Sequence, residues 1–102
     1  GDIGMHFPDT DPQWAGANSL TLLAHVAQLV RSAGYEIGNV DCSIVCEKPK
    51  IAPHREAMQK FLSDAAGATI TVKGRRAEGL GALGREEGIA CWAVAVIERT
   101  QA

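Results

Sequence analysis

The sequence predicts an α+β fold, in which two helices pack on one face of a small sheet. Apolar residues recur at helical spacing in two stretches, and they alternate or run continuously in three others, in the order helix, strand, helix, strand, strand. A length of 102 residues and a hydrophobic content of 46% suit one small domain. We therefore expect residues 1–102 to form a single domain, and an incomplete one, because three strands and two helices make a thin layer.

Both predicted helices have recognisable ends. Asn18 and Ser19 offer an N-cap for the first helix, and Gly34 can end it. The second helix is predicted to begin after Pro53, since proline suits a first helical turn, and to stop at Gly67. Each helix carries an apolar stripe that can face a sheet. The stripes consist of Leu20, Leu23, Val26, Ala27, Val30 and Ala33 in the first helix, and of Ala57, Met58, Phe61, Leu62 and Ala65 in the second.

The remaining segments are predicted as strands and loops. Val40, Cys42, Ile44 and Cys46 alternate with Asn39, Asp41 and Ser43, which predicts a strand with one buried face. Residues 69–73 alternate over a shorter length. Residues 89–97 are almost continuously apolar, and we interpret them as a central strand covered on both faces. Residues 1–4 are predicted as a loop. The glycine-rich residues 79–84 are interpreted as a crossover, because no helix pattern follows them as a dinucleotide site requires.

Composition excludes several classes of function. A net charge of −2 without a basic cluster argues against nucleic acid and anionic membranes as partners. The longest apolar run is too short to cross a bilayer, and no targeting segment is apparent. The three cysteines, Cys42, Cys46 and Cys91, are odd in number and contain no CxxC pair. We therefore interpret them as small core residues in a reducing cytoplasm.

Two loops have side chains suited to binding a ligand. The turn at residues 7–12 holds two aspartates and a threonine between two prolines. It is either a solvated Asx turn or a rigid clamp for a polyhydroxylated or metal-bound phosphate ligand. The loop at residues 46–52 is either a plain connection with two solvated lysines or a site in which Lys50 neutralises a phosphate.

Several segments in one register carry a resemblance to a known family. They read GDIG at residues 1–4 with FPDTD at 7–11, GNVD at 38–41, KPKIAPH at 48–54 and GREEGIA at 84–90. Together they resemble 2-C-methyl-D-erythritol 2,4-cyclodiphosphate synthase, an enzyme of non-mevalonate isoprenoid biosynthesis, from residue 1 to about residue 98. The resemblance implies a ferredoxin-like portion of that enzyme's fold, a homotrimer, and a location in the bacterial cytoplasm or, in a plant, the plastid stroma.

The resemblance also implies a reaction and a set of site residues. The enzyme, a phosphorus–oxygen lyase, converts 4-diphosphocytidyl-2-C-methyl-D-erythritol 2-phosphate to the 2,4-cyclodiphosphate and releases CMP. By this resemblance, Glu78 binds a magnesium or manganese ion at the diphosphate, and Arg85 faces a trimer cavity able to take a prenyl diphosphate. The implied substrate-binding residues are Asp2, Ile3, Gly4, Phe7, Pro8, Asp9, Thr10 and Asp11 at the methylerythritol part, Pro49, Lys50, Ile51 and Ala52 at the cytidine, and Glu78 and Arg85.

Two departures from the family pattern concern catalysis, and no catalytic residue is assigned. The implied zinc ligands, an Asp-x-His pair and a further histidine of an N-terminal third, have no counterpart here, and His6, His25 and His54 do not match them. The family's Thr-Thr-Thr-Glu run appears as Arg-Arg-Ala-Glu at residues 75–78. We therefore expect this chain to have little or no cyclase activity, since catalytic zinc needs about three protein ligands. The alternative is a catalytically inactive trimer module that binds a nucleotide or phosphate.

Overall fold

The computed structural model describes residues 3–8, 10–14, 18–48, 50–75, 81–85 and 87–100. The elements are α1 (Ile3–His6), α2 (Ser19–Ser32), β1 (Tyr35–Val45), α3 (Arg55–Ala66), β2 (Thr69–Arg75), α4 (Gly81–Gly84) and β3 (Ala90–Arg99), with 3₁₀ turns at Pro12–Trp14 and Ala52–His54. The strands form one sheet in the order β2-β1-β3, and α2 and α3 pack on one face of it. The predicted fold class and the order of its main elements are confirmed.

Both long helices begin and end where the sequence indicates. Asn18 Oδ1 accepts a hydrogen bond from the Leu20 backbone N–H at 2.7 Å, as an N-cap does. Gly34 follows α2 with a φ of 95°, and Gly67 follows α3 with a φ of 66°. This left-handed conformation is available to glycine without steric strain, so the two glycines fix both helix C-termini.

β1 is the central strand of the sheet. It pairs in parallel with β2, where Val40 opposes Ile70, and antiparallel with β3, where Asp41 opposes Val94. The parallel pair is joined through α3, as a crossover between parallel strands requires. β1 begins at Tyr35, earlier than the alternating residues predicted, and a register shift lies between its pairings at residues 37 and 39.

The interpretation of residues 89–97 as a central, covered strand is wrong. They lie largely in β3, which among the described residues pairs with β1 alone and forms an edge of the sheet. Side chains are exposed on both faces of β3, as Val94 at 70% and Ile97 at 47% show. A continuous apolar run indicates that a strand is to be covered. It does not indicate which segment or which chain covers it.

The core lies between the two long helices and the sheet. Ala27 of α2, Ala66 of α3 and Ile70 of β2 are its buried centre. Small alanines at the helix contacts allow α2 and α3 to approach each other closely above the sheet. The half-buried residues packed around this centre are Leu23, Ile37, Val40, Cys42 and Leu62.

The free edge of β2 is covered by polar side chains of α3. Ser63 Oγ accepts a hydrogen bond from the Ile70 backbone N–H at 2.9 Å. Gln59 Oε1 accepts one from the Val72 backbone N–H at 3.0 Å. These bonds satisfy donors that a sheet edge otherwise leaves open to another strand. Two of the donors on the β2 edge are therefore satisfied within the fold.

The interpretation of all three cysteines as core residues is confirmed for Cys46 and for Cys42, which packs against the core, and it is wrong for Cys91. Cys46 is buried, Cys42 is half-buried and Cys91, on β3, is exposed; all three are free thiols. Burial, with a smaller contribution from Cys91, raises the pKa of the Cys42 thiol above its ordinary value. Cys91 is exposed for the same reason as the rest of β3, which no described helix covers.

Two segments that we predicted as loops contain single helical turns. α1 includes Ile3 and Gly4, and α4 covers the end of the glycine-rich segment. Periodicity is read over windows of about 11–18 residues, so a four-residue turn leaves no pattern. No helix within the described ranges is long and apolar enough to cross a membrane.

Arg31 joins the C-terminal ends of α2 and α3. Its Nη2 donates to the Ala66 carbonyl oxygen at 2.6 Å and to that of Gly67 at 3.2 Å. We expect Arg31→Ala to lower the free energy of unfolding by about 1.5–3 kcal/mol, because these bonds come from a charged donor. Urea unfolding measures this, with Lys60→Ala as the control, since the exposed Lys60–Asp64 pair contributes less than about 1 kcal/mol. Equal changes for the two variants would contradict the role of Arg31.

Candidate functional site

A pocket of 360 Å³ opens where β1 and β2 finish and α3 begins. Its volume lies within the range of small-molecule sites, about 300–1,000 Å³. The loop after β1, the first residue of α3 and the last two residues of β2 form its walls. The pocket therefore brings the described part of the predicted cytidine loop together with two other segments. The lining residues are Lys50, Ile51, Ala52, Arg55, Gly74 and Arg75.

Backbone hydrogen bonds hold the loop at both of its ends. The Cys46 N–H donates to the Arg75 carbonyl oxygen at 3.0 Å, directly after the parallel pairing of Val45 with Arg75. The His54 N–H donates to the Ile51 carbonyl oxygen at 2.9 Å and closes the 3₁₀ turn before α3. The loop is thus bonded to β2 at its start, and it ends in a hydrogen-bonded 3₁₀ turn that leads into α3.

Gly74 lets the loop lie directly against β2. A Cβ added to Gly74 would overlap Ile51 Cβ and would lie 2.9 Å from Ile51 Cγ2. Real Cβ atoms are essentially never this close to a neighbour, so the loop would have to move. A glycine inside a strand often marks such a close approach of another segment. Gly74 therefore sets the position of Ile51 in the pocket wall.

The pocket is basic. Three of its lining residues, Lys50, Arg55 and Arg75, carry cationic side chains, and among the described residues no aspartate or glutamate lines it. Arg55 is the first residue of α3, next to the positive end of the helix dipole. Ammonium and guanidinium groups form their strongest hydrogen bonds with carboxylates and phosphates. The arrangement is therefore suited to an anionic ligand.

An apolar cavity of 520 Å³ adjoins the basic pocket through Ile51, which lines both. Its large exposed apolar residues are Phe61, at 55% exposure, and Ile89, at 65%. A basic pocket next to an apolar one suits a ligand with both a charged and a less polar part. The cavity is lined by Ile44, Cys46, Ile51, His54, Ala57, Met58, Phe61 and Ile89.

The turn at residues 7–11 is held by local hydrogen bonds. The Asp11 N–H donates to the Pro8 carbonyl oxygen at 3.0 Å, and Asp11 Oδ1 accepts from the Gln13 N–H at 2.9 Å. The second bond is that of an Asx turn, one of the two interpretations left open by the sequence. Phe7 is buried, and its ring meets the His25 ring edge-on at 5.4 Å. The turn is thus anchored to α2, and none of its described residues lines the basic pocket.

The structure does not bring all the predicted site residues together. Arg85 is exposed, and its Nη2 donates to Glu87 Oε2 at 3.0 Å. Thr10 is exposed, and Ile3 and Gly4 lie in α1. The predicted site residues Asp2, Asp9, Pro49 and Glu78 lie outside the described residues.

Two pocket residues were not identified from the sequence, and a third was noted only as a departure. Arg55 and Gly74 were not named as candidates, whereas Arg75 was noted as standing in place of a threonine. A basic residue opening a helix and a glycine inside a strand are both unfavourable locally. These two locally unfavourable residues were the signals by which the sequence could have indicated Arg55 and Gly74.

A metal site is not formed within the described ranges. No three histidine, cysteine, aspartate or glutamate side chains come together among those residues. Glu78, the residue predicted to bind a divalent cation, lies outside them. The described residues alone therefore do not fit a complete metal site.

The fold and the pocket define the class of protein: an α+β protein with a small basic pocket at the ends of two parallel strands. A sequence model of the YgbB family matches residues 1–98. The chain belongs to the YgbB family. The resemblance drawn from the short motifs is thereby confirmed over almost the whole chain.

Individual relatives carry the enzyme name that the motifs suggested. The 2-C-methyl-D-erythritol 2,4-cyclodiphosphate synthase of Thioalkalivibrio sulfidiphilus is 52% identical over 101 residues, which cover 96% of this chain and 63% of the relative. That of Bacillus cytotoxicus is 50% identical over 102 residues, covering 97% and 65%. The structure of IspF from Plasmodium falciparum in complex with CDP matches with a TM-score of 0.83 and 31% identity, covering 99% of this chain and 62% of that one. This chain thus spans less than two thirds of the length of each of these proteins.

Proposed function

We propose that this chain takes part in the cyclisation of 4-diphosphocytidyl-2-C-methyl-D-erythritol 2-phosphate to the 2,4-cyclodiphosphate, with release of CMP, in non-mevalonate isoprenoid biosynthesis. The observation that carries the proposal is the basic pocket formed by the predicted cytidine loop. Membership of the YgbB family and the names of the relatives support the reaction. A relative of the same fold has been solved in complex with CDP, which supports a cytidine-linked ligand.

The proposed reaction is an intramolecular phosphoryl transfer. An oxygen of the 2-phosphate forms a bond to the β-phosphorus, and the bond from that phosphorus to the bridging oxygen breaks. CMP leaves with the bridging oxygen. The tasks of a protein in such a reaction are to orient the two phosphates and to neutralise their charge. Lys50, Arg55 and Arg75 are placed to contribute to the second task.

The other predicted residues take roles that their chemistry allows. We assign the methylerythritol part to Asp2, Ile3, Gly4 and the turn at residues 7–11, since carboxylates accept hydrogen bonds from sugar hydroxyls. Asp11 uses one carboxylate oxygen for the Gln13 N–H and retains the second for a ligand. The cytidine is assigned to residues 49–52, whose backbone groups can read the edge of the base. Arg85 is assigned to a prenyl diphosphate cavity on the trimer axis.

A divalent metal is part of the proposal for the whole enzyme. We infer zinc held by ligands of the family's N-terminal third, and magnesium or manganese held at the diphosphate by Glu78. Bound metal would polarise the phosphoryl oxygens as a Lewis acid. The described residues do not fit a complete metal site. The roles assigned to Lys50, Arg55 and Arg75 therefore depend on their own charges.

The assembly proposed for this chain is a homotrimer. The exposed apolar surface of β3 supports it, because patches of that kind normally mark an interface. We also propose that residues 1–102 form a single domain, since α2, α3 and the sheet share one core. A cytoplasmic location is proposed from the bacterial relatives.

A second candidate function is a catalytically inactive nucleotide- or phosphate-binding module. The observation that favours it is Arg75, which lines the pocket where the family has a threonine. An arginine can hold a phosphate firmly in the ground state without favouring its transfer. This candidate shares the pocket with the first and differs from it in turnover.

Lys50→Ala is expected to weaken CDP binding by about tenfold or more, because a bond to a charged group contributes about 1.5–3 kcal/mol. The preference for CDP over ADP is expected to stay unchanged, since backbone groups read the base. Calorimetry with both nucleotides tests the two statements separately. Lys60→Ala is the matched control, because Lys60 is an exposed lysine of α3 paired with Asp64.

Two results would contradict the pocket assignment. One is equal binding of CDP and ADP by the unmutated chain, or binding of neither. The other is a loss of CDP affinity in Lys60→Ala as large as that in Lys50→Ala, which would show a general charge effect.

A further inference from the structure

Two of the three thiols lie near each other across the pairing of β1 with β3. Ile44 of β1 opposes Cys91 of β3, and Cys42 opposes Ala93, so the two cysteines occupy diagonal positions of the antiparallel ladder. Residues two apart along a strand point to the same face of a sheet. Cys42 and Ala93 both line an apolar cavity of 290 Å³ beneath α2. Cys91 therefore lies on the same face of the sheet as Cys42, opposite to the face of Val94.

The two thiols differ in how easily a reagent can reach them. Cys91 is exposed, whereas Cys42 is half-buried and packs against the core. Burial raises the pKa of the Cys42 thiol, and the neighbouring Cys91 adds to this effect. Because the thiolate is the reactive form and must be accessible, a reagent from solution reacts first at Cys91. Cys42 is placed to react afterwards, from within the protein.

Cys46 is the competing partner for Cys91, because it flanks Ile44 on the other side along the chain. The pairing of β1 with β3 stops at Val45 and Ala90, so Cys46 lies beyond the end of the ladder. Cys46 is also buried, at 1% exposure. The geometry therefore favours Cys42 over Cys46.

A bond between the sulfur atoms of Cys42 and Cys91 requires only a small movement of β3. Diagonal partners have Cα atoms about 7–8 Å apart, and a disulfide spans at most about 6.8 Å, so an approach of about 1 Å is needed. Among the described residues β3 pairs with β1 alone, so no further strand has to move with it. A disulfide formed under such strain is more easily reduced than an unstrained one.

We propose that Cys91 and Cys42 form a thiol–disulfide exchange site for small-molecule disulfides, with Cys91 as the attacking thiol and Cys42 as the resolving thiol. The Cys91 thiolate attacks one sulfur of glutathione disulfide, the sulfur–sulfur bond of the reagent breaks, and one glutathione leaves as a thiolate that takes up a proton. The Cys42 thiolate then attacks Cys91 Sγ, and the second glutathione leaves in the same way. Two protein thiols are oxidised to one disulfide, and one glutathione disulfide is reduced to two thiols.

The test incubates the reduced chain with glutathione disulfide and follows its intact mass. The unmutated chain is expected to form a transient mixed disulfide and then a product that lacks two hydrogens, which excess reduced glutathione converts back. Cys42→Ala is expected to stop at the mixed disulfide. Cys91→Ala is expected to react about tenfold or more slowly, because the remaining thiols are half-buried and buried. Cys46→Ala is the matched control and is expected to behave as the unmutated chain.

Each of four results would overturn the proposal. The first two are an unmutated chain that stops at the mixed disulfide, or one that cross-links to a second copy instead. The third is ring closure in Cys42→Ala, or its loss in Cys46→Ala, since either would make Cys46 the resolving thiol. The fourth is an equal rate in Cys91→Ala and the unmutated chain. Thermal unfolding of each reduced variant shows that it is folded, and Cys42→Val serves beside Cys42→Ala because valine fills the half-buried position.

Discussion

The 102-residue chain is expected to release CMP at least about a thousandfold more slowly than the Thioalkalivibrio sulfidiphilus synthase assayed beside it. The reason is the absence from this sequence of the Asp-x-His pair and further histidine that the resemblance implies as zinc ligands. Loss of a Lewis acid removes several kcal/mol of transition-state stabilisation, and each 1.36 kcal/mol is about tenfold in rate. The measurement is CMP release from the diphosphocytidyl substrate in buffer containing zinc and magnesium.

A control variant separates the two causes of low activity. Arg76→Thr restores the middle threonine of the family's Thr-Thr-Thr-Glu run, and it is expected to leave turnover low. A large gain in Arg76→Thr would show that the threonine departure, and not the ligand set, limits the rate. Turnover by the unmutated chain at a rate close to that of the relative would refute the expectation as a whole.

The local structure of this chain could be predicted because its signals lie within a few residues. Asn18 caps α2 through the Leu20 N–H, and Gly34 and Gly67 adopt the left-handed conformation that ends each helix. Capping and helix termination depend on backbone groups one to four residues away. All the residues that form each cap therefore lie close together in the sequence.

The position of β3 could not be predicted for the opposite reason. Its apolar run shows that the strand needs cover, but sheet order depends on pairing between residues far apart, such as Asp41 with Val94. Among the described residues, β3 is an edge strand with exposed side chains. Hydrophobic periodicity depends on the sequence of one segment, whereas the burial of a strand depends on which other segments or subunits pack against it.

Only part of the site could be predicted from the sequence, for a similar reason. The loop with Lys50 was identified through its sequence, because proline and lysine in this register belong to one contiguous motif. Arg55 and Arg75 join it only through the fold, because the parallel pairing of β1 with β2 places the end of β2 beside that loop. Contiguous motifs indicate one wall of a pocket, and the other walls require the topology.

The outer face of β3 exposes a row of large apolar side chains. Trp92, Val94 and Val96 lie on this face with 60%, 70% and 51% exposure. Their partners on β1 are polar, since Asp41 opposes Val94. Hydrogen bonds from Thr71 and Lys73 hold the pKa of Asp41 below its usual value, so this carboxylate is charged at neutral pH. The face thus combines an apolar row at the edge of the sheet with a polar row beside it.

Val94→Lys is expected to convert the proposed trimer into a monomer at micromolar concentration. A lysine at the centre of the apolar row would place an unpaired charge in the interface, which weakens association by about a hundredfold or more. The side chain of residue 94 is exposed in the single chain, so circular dichroism and thermal unfolding of the monomer should change little. Sedimentation equilibrium measures the assembly. Thr69→Lys is the control, because Thr69 is an exposed residue of β2 at the opposite edge of the sheet. A stable monomer of the unmutated chain at that concentration, or equal dissociation by both variants, would exclude β3 as the interface.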